Sequence, residues 1–531
     1  MKKKYSLLCL LAALSFSSCV EDEGCNEMHP VNEAKIEGIE EQYNKISEVE
    51  TLEIPVTVTG SLSGDDPNRF DCMWFLCEHE LGSDDHQHTV ISQSKDLSYP
   101  LRGIKPGSYT LYFRATDKET QLQTEQSCNL VVQSPWVRGM YLFGDKEDGT
   151  CGIDFISMMD ERDTTVIADV LDNTQGIKNA ENLVFTGDRY RNDLEALWAI
   201  TKDGSYKLSS SSTDAKISIE KFDINDCVWP TIGNIQKPLK VKDVWPHAYG
   251  PSNAMTSGGY RYLVTDQGIF ACTQMTMGES YGNPFNRYGS NSEDLVEVAP
   301  FPFYPGNDRL PQQVAFFDRT NHKFVRQNAA YYSMTNFAEY IETSESPFSL
   351  DQTKYTPVRD LVYGENGYGN NGSSYALMND ADGNYYVYMF RVAGYVASGG
   401  FVKSLAKTID MSVATDLDKA RFYAFYSEQP ILLYAVGNVL WAYNYNTKKV
   451  AQLKTFSGEI TYLAMDFHSG GNPDDFIVAT YSPAEKGTVY KYEVEDSPNE
   501  LKINEKNYAT ASYPWKTDLK VVKVEFRNCT H

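Results

Sequence analysis

The residues best suited to chemistry are few and scattered. Eight histidines are present, and the densest group is Asp84, Asp85, His86 and His88, near Glu78, His79 and Glu80. A His-x-His pair on one strand face is an arrangement that holds metals. Gly82 to His88 reads instead as a polar loop between strands, where such residues collect, so neither a metal nor a cofactor is expected. His-Glu-x-x-His, Gly-x-Ser-x-Gly and a Gly-x-Gly-x-x-Gly loop before a helix are absent. A glycosidase needs two carboxylates at a set separation, and among 72 acidic residues spacing selects none. Asp474-Asp475, after Gly470-Gly471-Asn472-Pro473, reads as a turn, and Asp148-Gly149, Asp203-Gly204 and Asp382-Gly383 read as hairpin turns. No EF-hand spacing marks a calcium loop. No catalytic residue is assigned, and the expectation is a protein that is not an enzyme.

Three loops concentrate aromatic residues with glycine and asparagine: Trp245 to Gly250, Tyr281 to Gly289 and Tyr363 to Gly372. Flat apolar rings beside adaptable hydrogen-bonding groups suit contact surfaces. They make Trp245, Tyr249, Tyr281, Phe285, Arg287, Tyr288, Tyr363 and Tyr368 the candidate ligand- or partner-binding residues. Sugar rings and peptide side chains both fit such faces. The alternative is that these residues pack long loops onto their scaffold, and both readings stay open for each loop.

The elements that would position these loops are strands. From residue 135 to 531 short apolar alternations recur, each with a turn inside: Ala196 to Thr201 before Asp203-Gly204, Tyr260 to Val264 before Asp266-Gln267-Gly268, Val314 to Asp318 before Thr320-Asn321. Tyr375 to Met378 leads to Asp382-Gly383-Asn384, Val439 to Tyr443 to Asn446-Thr447, and Thr488 to Tyr492 repeats the theme. Hairpins recurring at roughly 50 to 60 residues predict a β-propeller of about seven blades with long loops. Two or three β-sandwiches in series are the alternative. The lack of Pro/Ser/Thr-rich linkers after residue 136 speaks against them. Residues 34–134 predict a separate β-sandwich, with strands at Leu52 to Thr59, Met73 to Leu76, Ser108 to Asp117 and Cys128 to Val132. The fold class is therefore all-β, a sandwich followed by a propeller.

The net charge is −24, and removing residues 1–18 takes three lysines and no acid, leaving −27. That balance argues against nucleic acid as a partner. Of ten cysteines, Cys9 falls within an amino-terminal leader and Cys19 at its end. Cys72 and Cys77 would both lie near Cys128 in a sandwich, so one bridge is expected there. Cys25, Cys151, Cys227, Cys272 and Cys529 are bridges or buried thiols. The spacing does not resemble a zinc framework.

Lys2-Lys3-Lys4, a short apolar run through Leu14, and Phe16-Ser17-Ser18-Cys19 form a secretory leader. It resembles a bacterial lipoprotein signal, with Phe16 departing from the usual leucine of the lipobox. The resemblance implies removal of residues 1–18 and acylation of Cys19 by palmitate-type chains; ordinary cleavage nearby, giving a soluble secreted protein, is the alternative. Glu21, Asp22 and Glu23 resemble the export tag of surface lipoproteins in Bacteroidetes; a solvated acidic tether over 19–33 is the plainer reading. Gly107 to Leu111, running on to Ala115-Thr116-Asp117, looks like the closing strand of PKD-type domains, with Trp74 as the early core aromatic. Arg138 to Phe143 and Asp148-Gly149 through Ile156 resemble the segment after that domain in the PKD-like lipoproteins of Bacteroidetes. These motifs are structural and fix no active site. The resemblance implies a lipid-anchored protein on the extracellular face of the outer membrane, an accessory in nutrient uptake. Its implied partners are a SusC-like TonB-dependent transporter and a SusD-like lipoprotein, and its implied ligand a peptide or glycan. A polymer-cutting hydrolase or lyase on the propeller, favoured by a cluster of acids at its centre, and a purely structural subunit are the rival classes.

Overall fold

Alternating sequence makes strands, and strands form nearly all the regular structure of the computed structural model. It describes residues 30–78, 88–135, 138–158, 164–186, 196–209, 216–245, 261–272, 280–289, 292–305, 314–330, 333–392, 400–466, 473–495, 501–506, 508 and 512–528. The chain divides into two units. The first lies within residues up to 131, and the second comprises 46–50, 101–107 and everything from 132 onward.

The first unit is a sandwich. One sheet has the order Gln42–Ile46, Gln123–Gln133, Gly107–Asp117, Phe70–Glu78, His88–Ser92. Two strand pairs complete it: Ala34–Glu37 with Thr57–Gly60, and Thr51–Ile54 with Leu97–Pro100. Leu52, Ile54, Val58, Trp74, Leu111, Phe113 and Leu130 point inward and are buried. Trp74 packs its ring 4.8 Å from that of Phe113 and donates its indole N–H to the Lys95 carbonyl at 3.2 Å. The single strand expected over Leu52 to Thr59 is two strands. Pro55 has no N–H to give a ladder, and the Val56 N–H turns to the Asp96 carboxylate at 2.8 Å instead.

The disulfide expected near Cys128 does not form. Cys72, Cys77 and Cys128 are free thiols. The Cys128 strand is separated from the Cys72–Cys77 strand by Gly107–Asp117. Two strand spacings are about 9.6 Å, beyond the reach of a disulfide. Cys77 meets a different partner, the Nδ1 of His88 at 2.8 Å. Cys151, Cys227 and Cys272 are buried free thiols; Cys25 and Cys529 lie outside the described residues.

The second unit is a seven-bladed β-propeller. In chain order the blades are built on Arg138–Asp145, Cys151–Ser157 and Thr165–Ile167; Ala180–Thr186, Ala196–Thr201, Ser205–Leu208 and Ile217–Asp223; Val241–Trp245, Arg261–Thr265 and Ile269–Cys272; Ala315–Asp318, Lys323–Ala330 and Ser333–Glu339; Arg359–Asn366, Ser374–Asp380, Tyr385–Val392 and Phe401–Thr408; Phe422–Tyr426, Ile431–Val436, Val439–Asn444 and Lys449–Thr455; and Glu459–Met465, Asp475–Ser482, Lys486–Val494 and Ile503–Glu505. Val298 and Phe303 extend the fourth blade inward by bridging to Asp318 and Ala315. Asp148-Gly149, Asp203-Gly204 and Asp382-Gly383 lie in tight turns between adjacent strands, as their sequences predict.

The carboxy-terminal strand Lys520–Asn528 closes the ring as the innermost strand of the first blade, antiparallel to Arg138–Asp145. Its approach is close at Gly144, where a Cβ would stand 2.2 Å from the Lys520 carbonyl oxygen. Only glycine fits there. Closure removes two sheet edges that would otherwise be exposed. Met140, Leu142, Val489, Trp515 and Phe526 form the apolar cluster that seals the seventh blade onto the first.

Candidate functional site

The blades' inner strands surround an axial cavity of about 300 Å³. The first blade contributes Lys523 and Glu525, the third Asp243 and Trp245, the fifth Tyr363 and Glu365, and the seventh Tyr462 and Asp466. Period-two alternation puts Lys523 and Glu525 on one face of their strand and Tyr363 and Glu365 on one face of theirs. Between the latter two, Gly364 lets the strand lie against the fourth blade, where a Cβ would meet the Phe303 ring at 2.6 Å.

Among the described residues, four carboxyl groups and one ammonium line this cavity. Lys523 lies 3.4 Å from Glu525, and its ammonium stands 6.0 Å from the centre of the Tyr462 ring. Burial opposes the Lys523 charge, but Tyr462, Glu525 and Asp243 outweigh it, so its pKa stays above the ordinary lysine value. Glu525 also accepts the Phe185 N–H at 3.4 Å. Asp466 is paired with Lys491 at 3.0 Å, and Lys491 reaches Asp475 at 2.9 Å. Asp475 is thus a buried strand residue rather than the turn residue its sequence suggests. Tyr462 donates to the Val524 carbonyl at 3.1 Å; burial pushes its pKa up to about 12.

Glu365 differs from the other acids. Among the described residues no lysine, arginine or histidine forms an ion pair with it. Its Oε2 accepts the Phe425 N–H at 2.7 Å. Burial pushes its pKa up to about 8, against the lowering effects of that bond and of the nearby Tyr363 hydroxyl. At neutral pH it is mostly a neutral acid.

Of the aromatic candidates among the described residues, the structure brings only Trp245 and Tyr363 to this cavity. Tyr281, Phe285 and Arg287 belong to the interior, which is the packing alternative for their loop. Tyr281 is fully buried among Trp198, Val228, Leu263 and Phe270, and its backbone bonds tie it to Cys227 and Trp229. Phe285 stacks edge-on with Phe316 at 5.3 Å and Phe337 at 5.5 Å. Arg287 donates to the Ser292 carbonyl at 2.8 Å. Tyr288 is half-buried, donating to Asp318 at 2.6 Å with the Lys323 ammonium 4.8 Å from its ring centre. Among the described candidates Tyr368 alone is open, at 48% exposure. Tyr249, Cys19, Asp84, Asp85, His86, His79 and Glu80 lie outside the described residues.

Sequence reading missed Glu365, Tyr462, Lys523 and Glu525 as a group. The available signal was charge inside apolar strands: Glu365 follows Leu361-Val362-Tyr363, and Lys523 and Glu525 alternate with Val522, Val524 and Phe526.

Residues 19–182 match the PKD-like family. The match spans the sandwich and continues through the first blade into the first strand of the second. No curated protein matches the chain. Among solved structures, the chain is similar to a quinonprotein alcohol dehydrogenase-like protein from Bacteroides thetaiotaomicron, with 11% identity and a TM-score of 0.38, covering 91% of this chain and 96% of that one. It is also similar to the Swd1 β-propeller domain of Myceliophteria thermophila, with 8% identity, a TM-score of 0.36 and coverage of 67% and 96%. The WD40 domain of SCAP from fission yeast gives 11% identity, a TM-score of 0.28 and coverage of 65% and 72%.

Proposed function

We propose that this chain is a surface lipoprotein, acylated at Cys19 and held at the extracellular face of the outer membrane, that serves a SusC/SusD-type importer by capturing a peptide or glycan without cutting it. The anchoring half of the reading is supported by the leader ending at Cys19, the acids Glu21 to Glu23, and a PKD-like match that begins at residue 19. The capture half is carried by one observation, the axial cavity walled by a closed ring of blades. A lipid anchor beside an importer would raise the local concentration of whatever the cavity holds.

A mild-detergent pull-down from the native outer membrane, with a tag after His531, tests the reading. Recovery of a TonB-dependent transporter and a SusD-like lipoprotein is expected. Recovery of this chain alone overturns the importer role, and a Cys19→Ala chain that stays in the membrane fraction overturns the anchor.

One observation favours a second reading, a propeller hydrolase or lyase: the axis does gather acids, and Glu365 keeps its proton near neutral pH as a general acid must. Against it, Glu525 and Asp466 are engaged by lysines and Asp243 accepts the Val244 N–H at 2.8 Å, whereas a glycosidase needs a second carboxylate available as base or nucleophile. Release of reducing ends or new amino termini from a polymer array, lost in Glu365→Gln, would establish the enzyme.

A further inference from the structure

The axial cavity is lined by acidic and aromatic residues together: Asp243, Glu365, Asp466 and Glu525 with Trp245, Tyr363 and Tyr462. Its resident ammonium, Lys523, is committed to Glu525 and Tyr462. Glu365 accepts the Phe425 N–H, a neutral donor, and among the described residues forms no ion pair. A half-buried carboxyl without a cationic partner favours either a proton or a counter-ion. The cavity beside it has room for a small organic group, and Tyr363, Tyr462 and Trp245 line it, residues of the type whose rings attract cations. A neutral sugar or an anion would leave the Glu365 carboxyl without a counter-ion.

We propose that the axial cavity receives a single organic cation, an alkylammonium or guanidinium group, with Glu365 as its counter-ion and Tyr363 and Tyr462 beside it. Lysine and arginine side chains of captured peptides, and free small amines, share this chemistry. The inference rests on the capture reading for its biological use. The cavity can nevertheless be tested without an importer, so the two fail separately.

The test is titration calorimetry on the full chain in detergent. The probes are N-acetyl-lysine-N-methylamide, its arginine counterpart, the uncharged norleucine counterpart and a neutral oligosaccharide. Binding of the two cationic probes, none of the norleucine probe or the sugar, and at least tenfold weaker binding in Glu365→Gln are expected. Glutamine keeps the acceptor for the Phe425 N–H, and thermal melting checks that the variant folds. Lys523→Met, which removes the resident ammonium, is a second variant, expected to bind the cationic probes more tightly. No binding of either cationic probe, equal binding of norleucine, or an unchanged affinity in a folded Glu365→Gln chain overturns the proposal; so does weaker binding in Lys523→Met. A blocked glycyl-lysyl-glycine that binds as tightly as the blocked lysine identifies peptides as the source of the cation. Weaker binding of that peptide identifies free small amines, and either result upholds the site.

Discussion

Arg527 donates from Nη1 to the Tyr141 hydroxyl at 2.7 Å, joining residues 386 positions apart. Both are buried, and the guanidinium also stands 5.7 Å from the centre of the Phe185 ring in the second blade. The contact exists only because the last strand returns to the first blade. A chain cut after residue 518 loses the innermost strand of that blade, exposes the edge of Arg138–Asp145 and opens the ring. Such a chain is expected to aggregate or to lose its cooperative melting transition. The milder Arg527→Met change roughly keeps the volume but takes this donor from the Tyr141 hydroxyl. It should lower stability by about 1–3 kcal/mol in chemical denaturation.

Glu365 makes the propeller sensitive to alkali. Its pKa rises from 4.5 to about 8 on folding, so between those values the native state holds a proton that the unfolded state has released. The stabilisation is fully present below about pH 4.5 and is lost as pH rises towards 8, by a few kcal/mol at most. The groups facing it are Tyr363 from its own strand, Tyr462 and Asp466 from the seventh blade, Lys523 and Glu525 from the first, and Asp243 from the third. Tyr363, Tyr462 and Lys523 titrate above this window. Glu365→Gln cannot titrate, so its melting midpoint should gain on that of the unaltered chain between pH 5 and pH 8.5. Parallel midpoints across that range would show that Glu365 does not hold a proton in the folded chain.

Tyr281 and Tyr368 separate packing from contact. Tyr281 is fully buried, whereas Tyr368 is largely exposed. Tyr281→Ala should cost about 3–5 kcal/mol through the cavity it leaves. Tyr368→Ala should change stability by less than about 0.5 kcal/mol. Denaturant melts of both variants check this, and equal effects would contradict the placement of the Tyr281 loop.

The strands and hairpins were legible because they are local. A run such as Tyr375 to Met378 followed by Asp382-Gly383-Asn384 specifies strand, turn and return within a dozen residues, and that is how it folds. Ring closure was legible only as a need, since nothing near Val524 names Leu142 as its partner. The aromatic loops stayed ambiguous for a related reason. Tyrosine, glycine and asparagine serve an exposed face and a packed loop equally well, and burial of Tyr281 and Phe285 is decided by neighbours as remote as Trp198 and Phe337. The axial acids were illegible as a site because each comes from a different blade. Glu365 and Glu525 are separated by 160 positions and meet at one cavity only after the ring closes.

Asp117 gives the Ala115-Thr116-Asp117 motif a physical role. Its carboxylate is buried and accepts from Asn32 Nδ2 at 2.6 Å, Arg69 Nε at 2.8 Å, and the N–H groups of Glu119 and Thr120 at 2.9 and 3.0 Å. One residue thereby ties the entry of the sandwich, the strand at Phe70 and the turn after its own strand. The Arg69 bond, aided by those from Asn32 and the two backbone groups, holds the carboxyl well below the usual aspartate range, against the opposing effect of burial. A depressed folded pKa contributes stability that is present above the unfolded value, near 4, and is lost as pH falls through the folded one. Asp117→Asn keeps the shape but removes the charge, and it should abolish that share of the acid sensitivity. In the full chain the sandwich should therefore melt at a lower temperature in Asp117→Asn than in the unaltered chain at pH 6, and the two midpoints should converge as pH falls below 3. A gap that stays constant over that range would mean that the carboxylate acts through its shape alone.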